Sequence, residues 1–231
     1  MALDHLTAVR ICPGLLFTMN IIKIGHACIL VEEHGTRILL DPGNFSNGQE
    51  NVKNVDAILI THEHADHVDL ERFGTVLRNN PSAKIFTNHG VGKKLTECNI
   101  DFELLVDGQS ITVKGVTIEG IGEKHAVIHD SIPIIENTGY LIADRLFYPG
   151  DAFMLPDREI EILALPVAGP WMKIAEAIDY ALQVKPKVCF PVHDGMLKED
   201  KRSSTRWVPN QVLPKEGIEF VEILEGESRK F

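Results

Sequence analysis

The segment THEHADH, residues 61–67, constrains this chain more than any other feature. It sets His62, His64, Asp66 and His67 close together, directly after the apolar run VDAILI. Ionisable groups crowded at one point lose hydration, which is costly unless a counter-charge or a metal compensates. Imidazole and carboxylate are ligands that zinc, iron and manganese accept. VDAILI reads as a buried strand that delivers the cluster to its end, so the first expectation is a hydrolytic metal site.

Three later segments complete the set. VTIEGIGEKH brings His125, RLFYPGD brings Asp151 behind a turn that Gly150 permits, and KVCFPVH brings His193. Side chains at strand ends sit on rigid supports, as a preorganised site requires. His62 and His64 are two apart and point to one side of an extended segment. Asp66 and His67 are adjacent and aim at a neighbouring point, which suits a second metal. HAVIH offers both His125 and His129; His125 is preferred because it comes directly off its strand. His129 is read as shaping the pocket or as an exposed loop residue.

The surrounding pattern is strand after strand. NIIKI, ACILVE, TRILL and VDAILI precede a helix over 68–79, interrupted by Gly74. KIFTN and a short helix GVGKKLTEC follow. SITV with VTIEGIG, and TGYLIA with RLFYPGD, read as hairpins. EILALPV is a buried strand. WMKIAEAIDYALQ is an amphipathic helix with Met172, Ala175, Ile178 and Leu182 on one face. KVCFPVHD and IEFVEIL are the last strands. The two halves suit two sheets packed face to face with helices outside. Residues 19–231 read as one domain. Residues 1–18, MALDHLTAVRICPGLLFT, read as an N-terminal extension or an upstream start, and as a poor secretory signal.

Bulk properties exclude several classes. The net charge is −10, which disfavours nucleic acid and anionic membrane surfaces as partners. No apolar run approaches the roughly 20 residues of a membrane helix. The four cysteines form no CxxC pair; each reads as a small buried hydrophobe in a reducing, cytoplasmic setting.

The ordered ligands resemble the signature of the metallo-β-lactamase superfamily: HxHxDH, then a His, an Asp and a final His. Here these are His62, His64, Asp66, His67, His125, Asp151 and His193. The opening GHACILVEEHGTRILLDPG resembles the small bacterial branch that includes L-ascorbate-6-phosphate lactonase. The resemblance implies an α/β fold of four layers, αβ/βα, with two mixed β-sheets face to face and helices outside. It also implies two divalent ions, Zn²⁺ first, with Mn²⁺ or Fe²⁺ as alternatives. His62, His64 and His125 would hold one ion, Asp66, His67 and His193 the other, and Asp151 would bridge them. Metals about 3.5–4 Å apart share a hydroxide nucleophile. Asp66 would also have a catalytic part, accepting a hydrogen bond from the attacking water.

The implied activity is metal-dependent hydrolysis of a small-molecule ester, lactone or phosphodiester. An RNA-processing nuclease of the superfamily is the alternative, but it would want a basic arm that neither the charge nor an insertion supplies. A diiron redox protein of this scaffold resembles HxExDH; here His64 holds the second position and Glu63 is out of phase. A small molecule is the expected partner, and a homo-oligomer stays open.

Other residues carry weaker signals. His26 reads as a donor behind the metals or as a satisfied turn histidine. Asp41 in LLDPG reads as a cap for local backbone N–H groups. Trp171 reads as an apolar pocket wall or as core. His89 reads as an exposed loop residue, and His5 and His34 as solvent-facing. Lys201 and Arg202 read as solvated charges, with anion binding as the alternative.

Overall fold

The computed structural model of the protein describes residues 18–198 and 203–231. Nearly all of the expected N-terminal extension, with His5 and Cys12, lies outside the described residues, as do Lys201 and Arg202.

Along the chain the first strands are β1 (Asn20–Gly25), β2 (Cys28–Glu33), β3 (Thr36–Leu40) and β4 (Ala57–Ile60). Helix α1 (Leu70–Asn79), β5 (Lys84–Thr87), α2 (His89–Glu97) and β6 (Glu103–Leu104) close the first half. The second half holds β7 (Ser110–Val113), β8 (Val116–Ile121), β9 (Gly139–Ile142), β10 (Leu146–Tyr148), β11 (Ile162–Pro166), α3 (Ile174–Val184) and β12 (Val188–Val192). Then come α4 (Ser203–Val212), β13 (Glu219–Phe220) and β14 (Ser228–Lys230).

Two seven-stranded sheets result, ordered β14-β1-β2-β3-β4-β5-β6 and β13-β12-β11-β10-β9-β8-β7. Each is mixed in the same way. β1 to β3 pair antiparallel and β3 to β6 parallel, while β7 to β10 pair antiparallel and β10 to β13 parallel.

The unbroken apolar runs follow from burial on both faces, as parallel strands under helices require. Ala57 and Leu59 of β4 join the core between the sheets, where they share space with Tyr140, Tyr148 and Phe190. Ile58 and Ile60, on the opposite face, pack with Phe73, Val76, Val91 and Leu95 of α1 and α2. On the second sheet Leu163 and Leu165 meet Ala177, Ile178 and Ala181 of α3. The order is helix, sheet, sheet, helix, the expected four-layer α/β fold. Among the described residues no helix is long and apolar enough to cross a membrane.

Local chemistry sets the helix ends. Asp69 caps α1, its carboxylate accepting from Arg72 N at 2.9 Å. The helix therefore starts two residues later than periodicity suggested, and it runs through Gly74 unbroken. α3 starts at Ile174 rather than Trp171, because Lys173 is extended and Glu176 reaches back to its N–H. Ala175 is exposed, so the buried stripe is Ala177, Ile178 and Ala181.

Three elements escaped the sequence pattern: β6, α4 and β14. IEFVEIL shrinks to the two residues of β13. Cys28 and Cys189 are buried as expected, but Cys98 is exposed, because it is the C-cap of α2 rather than part of its packed face.

Candidate metal centre

The site residues leave the sheets at the C-terminal ends of strands. Residues 61–67 follow β4, Asp151 follows β10, His193 follows β12, and His125 lies four residues past β8. Two glycines permit the approach. A Cβ on Gly43 would fall 1.9 Å from Asp66 O, so the Asp41 turn lies directly on the histidine loop. Gly150 has φ 66°, and a Cβ there would meet Asn137 Oδ1 at 2.4 Å. Asn137 in turn fixes the next residue, accepting from Asp151 N at 3.0 Å.

Seven sequence-predicted candidates come together. Their ligand atoms form groups that each lie within 4.8 Å: His62, His64 and His125; His62, His67 and Asp151; and Asp66, His67 and His193 with His26. Asp151 stands between them. Its Oδ2 is 3.0 Å from His193 Nε2 and 3.5 Å from His125 Nε2, and its Oδ1 is 3.2 Å from His67 Nε2. His129 is exposed and bonds Ser131 Oγ instead, while His125 is buried within the cluster.

The outer hydrogen bonds dictate which ring nitrogen faces inward. His67 Nδ1 donates to Asp41 Oδ2 at 2.7 Å, His125 Nδ1 to Ala126 O at 2.6 Å, and His193 Nδ1 to Ala168 O at 2.5 Å. Thr61 Oγ1 spends its proton on Asp41 Oδ2 at 2.8 Å, so it accepts from His62 Nδ1 at 3.0 Å. Four imidazoles thus aim Nε2 at one centre, the orientation that outer partners give to metal-binding histidines. His67, His125 and His193 Nε2 and Asp151 Oδ1 are buried with no hydrogen-bond partner. Such orphaned polar atoms are costly, and divalent cations would take the lone pairs that deprotonation frees on them. The donor set of five histidines and two carboxylates fits such ions.

His26 is different. Its Nδ1 accepts from Gly195 N at 3.0 Å, and a backbone N–H can only donate. The neutral ring therefore carries its proton on Nε2 and donates to Asp66 Oδ2 at 3.2 Å. It steadies a candidate ligand instead of offering a lone pair. Burial drives its pKa down to about 4, which keeps the ring neutral.

Charge is balanced by placement. Burial alone would raise the Asp66 and Asp151 carboxyls, but neighbouring histidines hold both well below the usual range. Burial would likewise lower His67 and His193. Asp151 outweighs it, leaving His67 raised, with help from Asp41, and His193 at about 9. Burial pushes His62 down, and His64 follows for the same reason.

Several contributors were not legible in the sequence. Asp41 does accept a backbone N–H, from Thr61 at 2.8 Å, but its main part is to orient His67 and take the Thr61 and Tyr148 hydroxyls. Trp171 is more than a wall: its indole N–H donates to Asp151 Oδ2 at 2.8 Å. Lys23 is fully buried beside the site, 2.7 Å from Asp194 Oδ1 and 2.9 Å from Pro191 O, and braces the turn carrying His193. Asp41, His193 and His26 have φ of 43°, 62° and 21°, strain that the surrounding bonds sustain. His34 and His89 are exposed, as expected, but His89 opens α2 instead of lying in a loop.

Comparison with known proteins agrees with this geometry. The family described as "Beta-lactamase superfamily domain" matches residues 20–193. The chain belongs to this metallo-β-lactamase superfamily, as a metal-dependent hydrolase. Protein Rv0786c of Mycobacterium tuberculosis is 40% identical over 189 residues, covering 80% of this chain and 88% of that protein. The UPF0173 metal-dependent hydrolase MJ1163 of Methanocaldococcus jannaschii is 28% identical, covering 73% and 81%. The structure of Igni18, a metallo hydrolase from Ignicoccus hospitalis, shares the fold with a TM-score of 0.73 at 21% identity, covering 93% and 98%.

Proposed function

We propose that the centre holds two divalent ions, zinc first with manganese or iron as alternatives, and hydrolyses an ester, lactone or phosphodiester bond of a small molecule. The observation that carries this reading is the set of buried polar atoms at His67, His125, His193 and Asp151 that converge with no hydrogen-bond partner. Bound ions there supply water activated at neutral pH and polarisation of the bond being cut.

The chain's own residues would do the rest. His62, His64 and His125 would hold one ion, and Asp66, His67 and His193 the other. Asp151 would reach both, held by the Trp171 N–H. The Asp66 side chain is 20% exposed, so it is the more accessible of the two carboxylates. Its strongly lowered pKa keeps it ionised, an acceptor that orients the attacking water and takes up protons poorly. His26 keeps that carboxylate from rotating.

The lactone option draws on the resemblance of GHACILVEEHGTRILLDPG to a lactonase-containing branch. A nuclease is disfavoured by the net charge of −10. A diiron redox role is disfavoured by His64 where a carboxylate would stand. The reading includes a cytoplasmic setting, no membrane or nucleic-acid partner, and leaves a homo-oligomer open.

Hydrolysis of 4-nitrophenyl acetate, a γ-lactone and bis(4-nitrophenyl) phosphate tests the reading. Turnover of at least one should vanish with chelator and return with Zn²⁺ or Mn²⁺. Activity that persists in metal-free protein would overturn it.

A further inference from the structure

Between His125 and Ile135 the chain makes an excursion pinned at its neck. His125 N donates to Ile135 O at 3.0 Å and Asn137 N to Glu123 O at 3.1 Å, which pairs the backbones of Lys124 and Glu136 antiparallel. The excursion is apolar where a loop over water is ordinarily polar. Val127, Ile132 and Ile134 are 51%, 47% and 52% exposed. Beneath it lies a small cavity of about 60 Å³. His64 and His125 line it together with Ile128, Ile132, Ile134 and Ile135.

Two features say what such a cavity takes. It opens on two candidate metal ligands, so a group seated in it has its reacting bond beside the centre. Its walls bring no charged side chain beyond those histidines, and the larger cleft across the same neck carries Asp107, Glu123 and Glu136 against Lys124. That acidic surround disfavours an anionic substrate and leaves a neutral one unopposed. One water needs about 10–15 Å³ of such cavity space, so the cavity takes a chain of a few carbons and no large group.

We propose that this cavity is a specificity pocket for a short aliphatic group on an uncharged ester or lactone. The proposal rests on the hydrolytic reading of the centre. It makes Ile132 and Ile134 specificity-determining residues, set on a loop whose neck is pinned by backbone hydrogen bonds.

The test is calorimetric binding of neutral metal-seeking probes to the zinc-loaded full chain: aceto-, propiono-, butyro- and hexanohydroxamic acid. Affinity should rise roughly fourfold per buried methylene up to the butyro compound and gain little beyond it. Ile132→Asp and Ile134→Asp should flatten that gradient. Leu224→Asp, at an exposed apolar position that does not line the cavity, should retain it. Both loop positions are about half exposed, so the variants keep their fold. Equal affinity across the series in the unaltered protein would overturn the pocket while leaving the hydrolytic centre standing. So would a flat series in a protein that sediments as a dimer and is made monomeric by Ile132→Asp, since the loop would then be covered by a second copy. No binding by any member would overturn both the pocket and the reading of the centre.

Discussion

Trp171 donates its indole N–H to Asp151 Oδ2 at 2.8 Å, joining the segment after β11 to the carboxylate after β10. The same oxygen lies 3.0 Å from His193 Nε2 and 3.5 Å from His125 Nε2. A carboxylate that faces two histidine groups can serve both only if its rotation is stopped, and the indole stops it.

Trp171→Phe keeps the aromatic bulk and removes the donor. Loss of an outer-shell partner of this kind typically weakens metal affinity about 10–100-fold. Competition with a fluorescent chelator measures it. Unchanged affinity would reduce the hydrogen bond to a packing accident.

Thr61→Val probes the other hub. The substitution preserves shape but deletes the acceptor of His62 Nδ1 and a donor to Asp41. Metal affinity should fall about 10–100-fold. The backbone bond from Thr61 N to Asp41 Oδ1 is kept, so urea unfolding of the metal-free protein should shift far less than for a core truncation. A large stability loss with metal affinity intact would contradict the assignment.

Lys23→Met strips the cation from a fully buried pair with Asp194. Breaking such a pair leaves one charge uncompensated and typically costs about 3–5 kcal/mol. Arg206, 3.2 Å from the other Asp194 oxygen, should hold the loss toward the lower end. Denaturant unfolding of metal-free protein gives the number; a change below about 1 kcal/mol would show that the bracing of the His193 turn lies elsewhere.

The metal-free protein should be most stable near the ordinary histidine pKa of about 6.5. Burial opposes charge on His193, but Asp151 outweighs it and lifts the group to about 9. Between those values the folded state binds more protons than the unfolded chain, so stability is lost as pH rises toward 9. Burial lowers His26 to about 4, so the unfolded chain takes the extra proton below 6.5 and stability is lost as pH falls toward 4. Thermal unfolding in chelator across pH 4–9 checks both arms. A melting temperature that climbs steadily to pH 9 would contradict the His193 arm.

The sequence carried the ligands far better than their supports. HxHxDH is local, so four candidates are read from one loop. His193 follows directly on an apolar strand and Asp151 on a short turn after one, whereas His125 lies four residues past β8 rather than directly off it. The face-to-face sheets were legible because β4, β11 and β12 are apolar on both sides. Asp41, Thr61 and Tyr148 meet only because β3 pairs in parallel with β4 and the sheets stack, which no single segment encodes. Lys23 sits at an inward position of β1, where alternation would forecast an aliphatic side chain. The strand β14 is short and polar, and α4 carries Pro209, a residue that reads as a helix stop.

The most direct measurement is metal content and affinity of the purified chain, by elemental analysis and titration. The account predicts two divalent ions per chain, with Asp151→Ala losing most of one while the fold persists. One tight ion, with Asp66, His67 and His193 indifferent to it, would contradict a dinuclear centre.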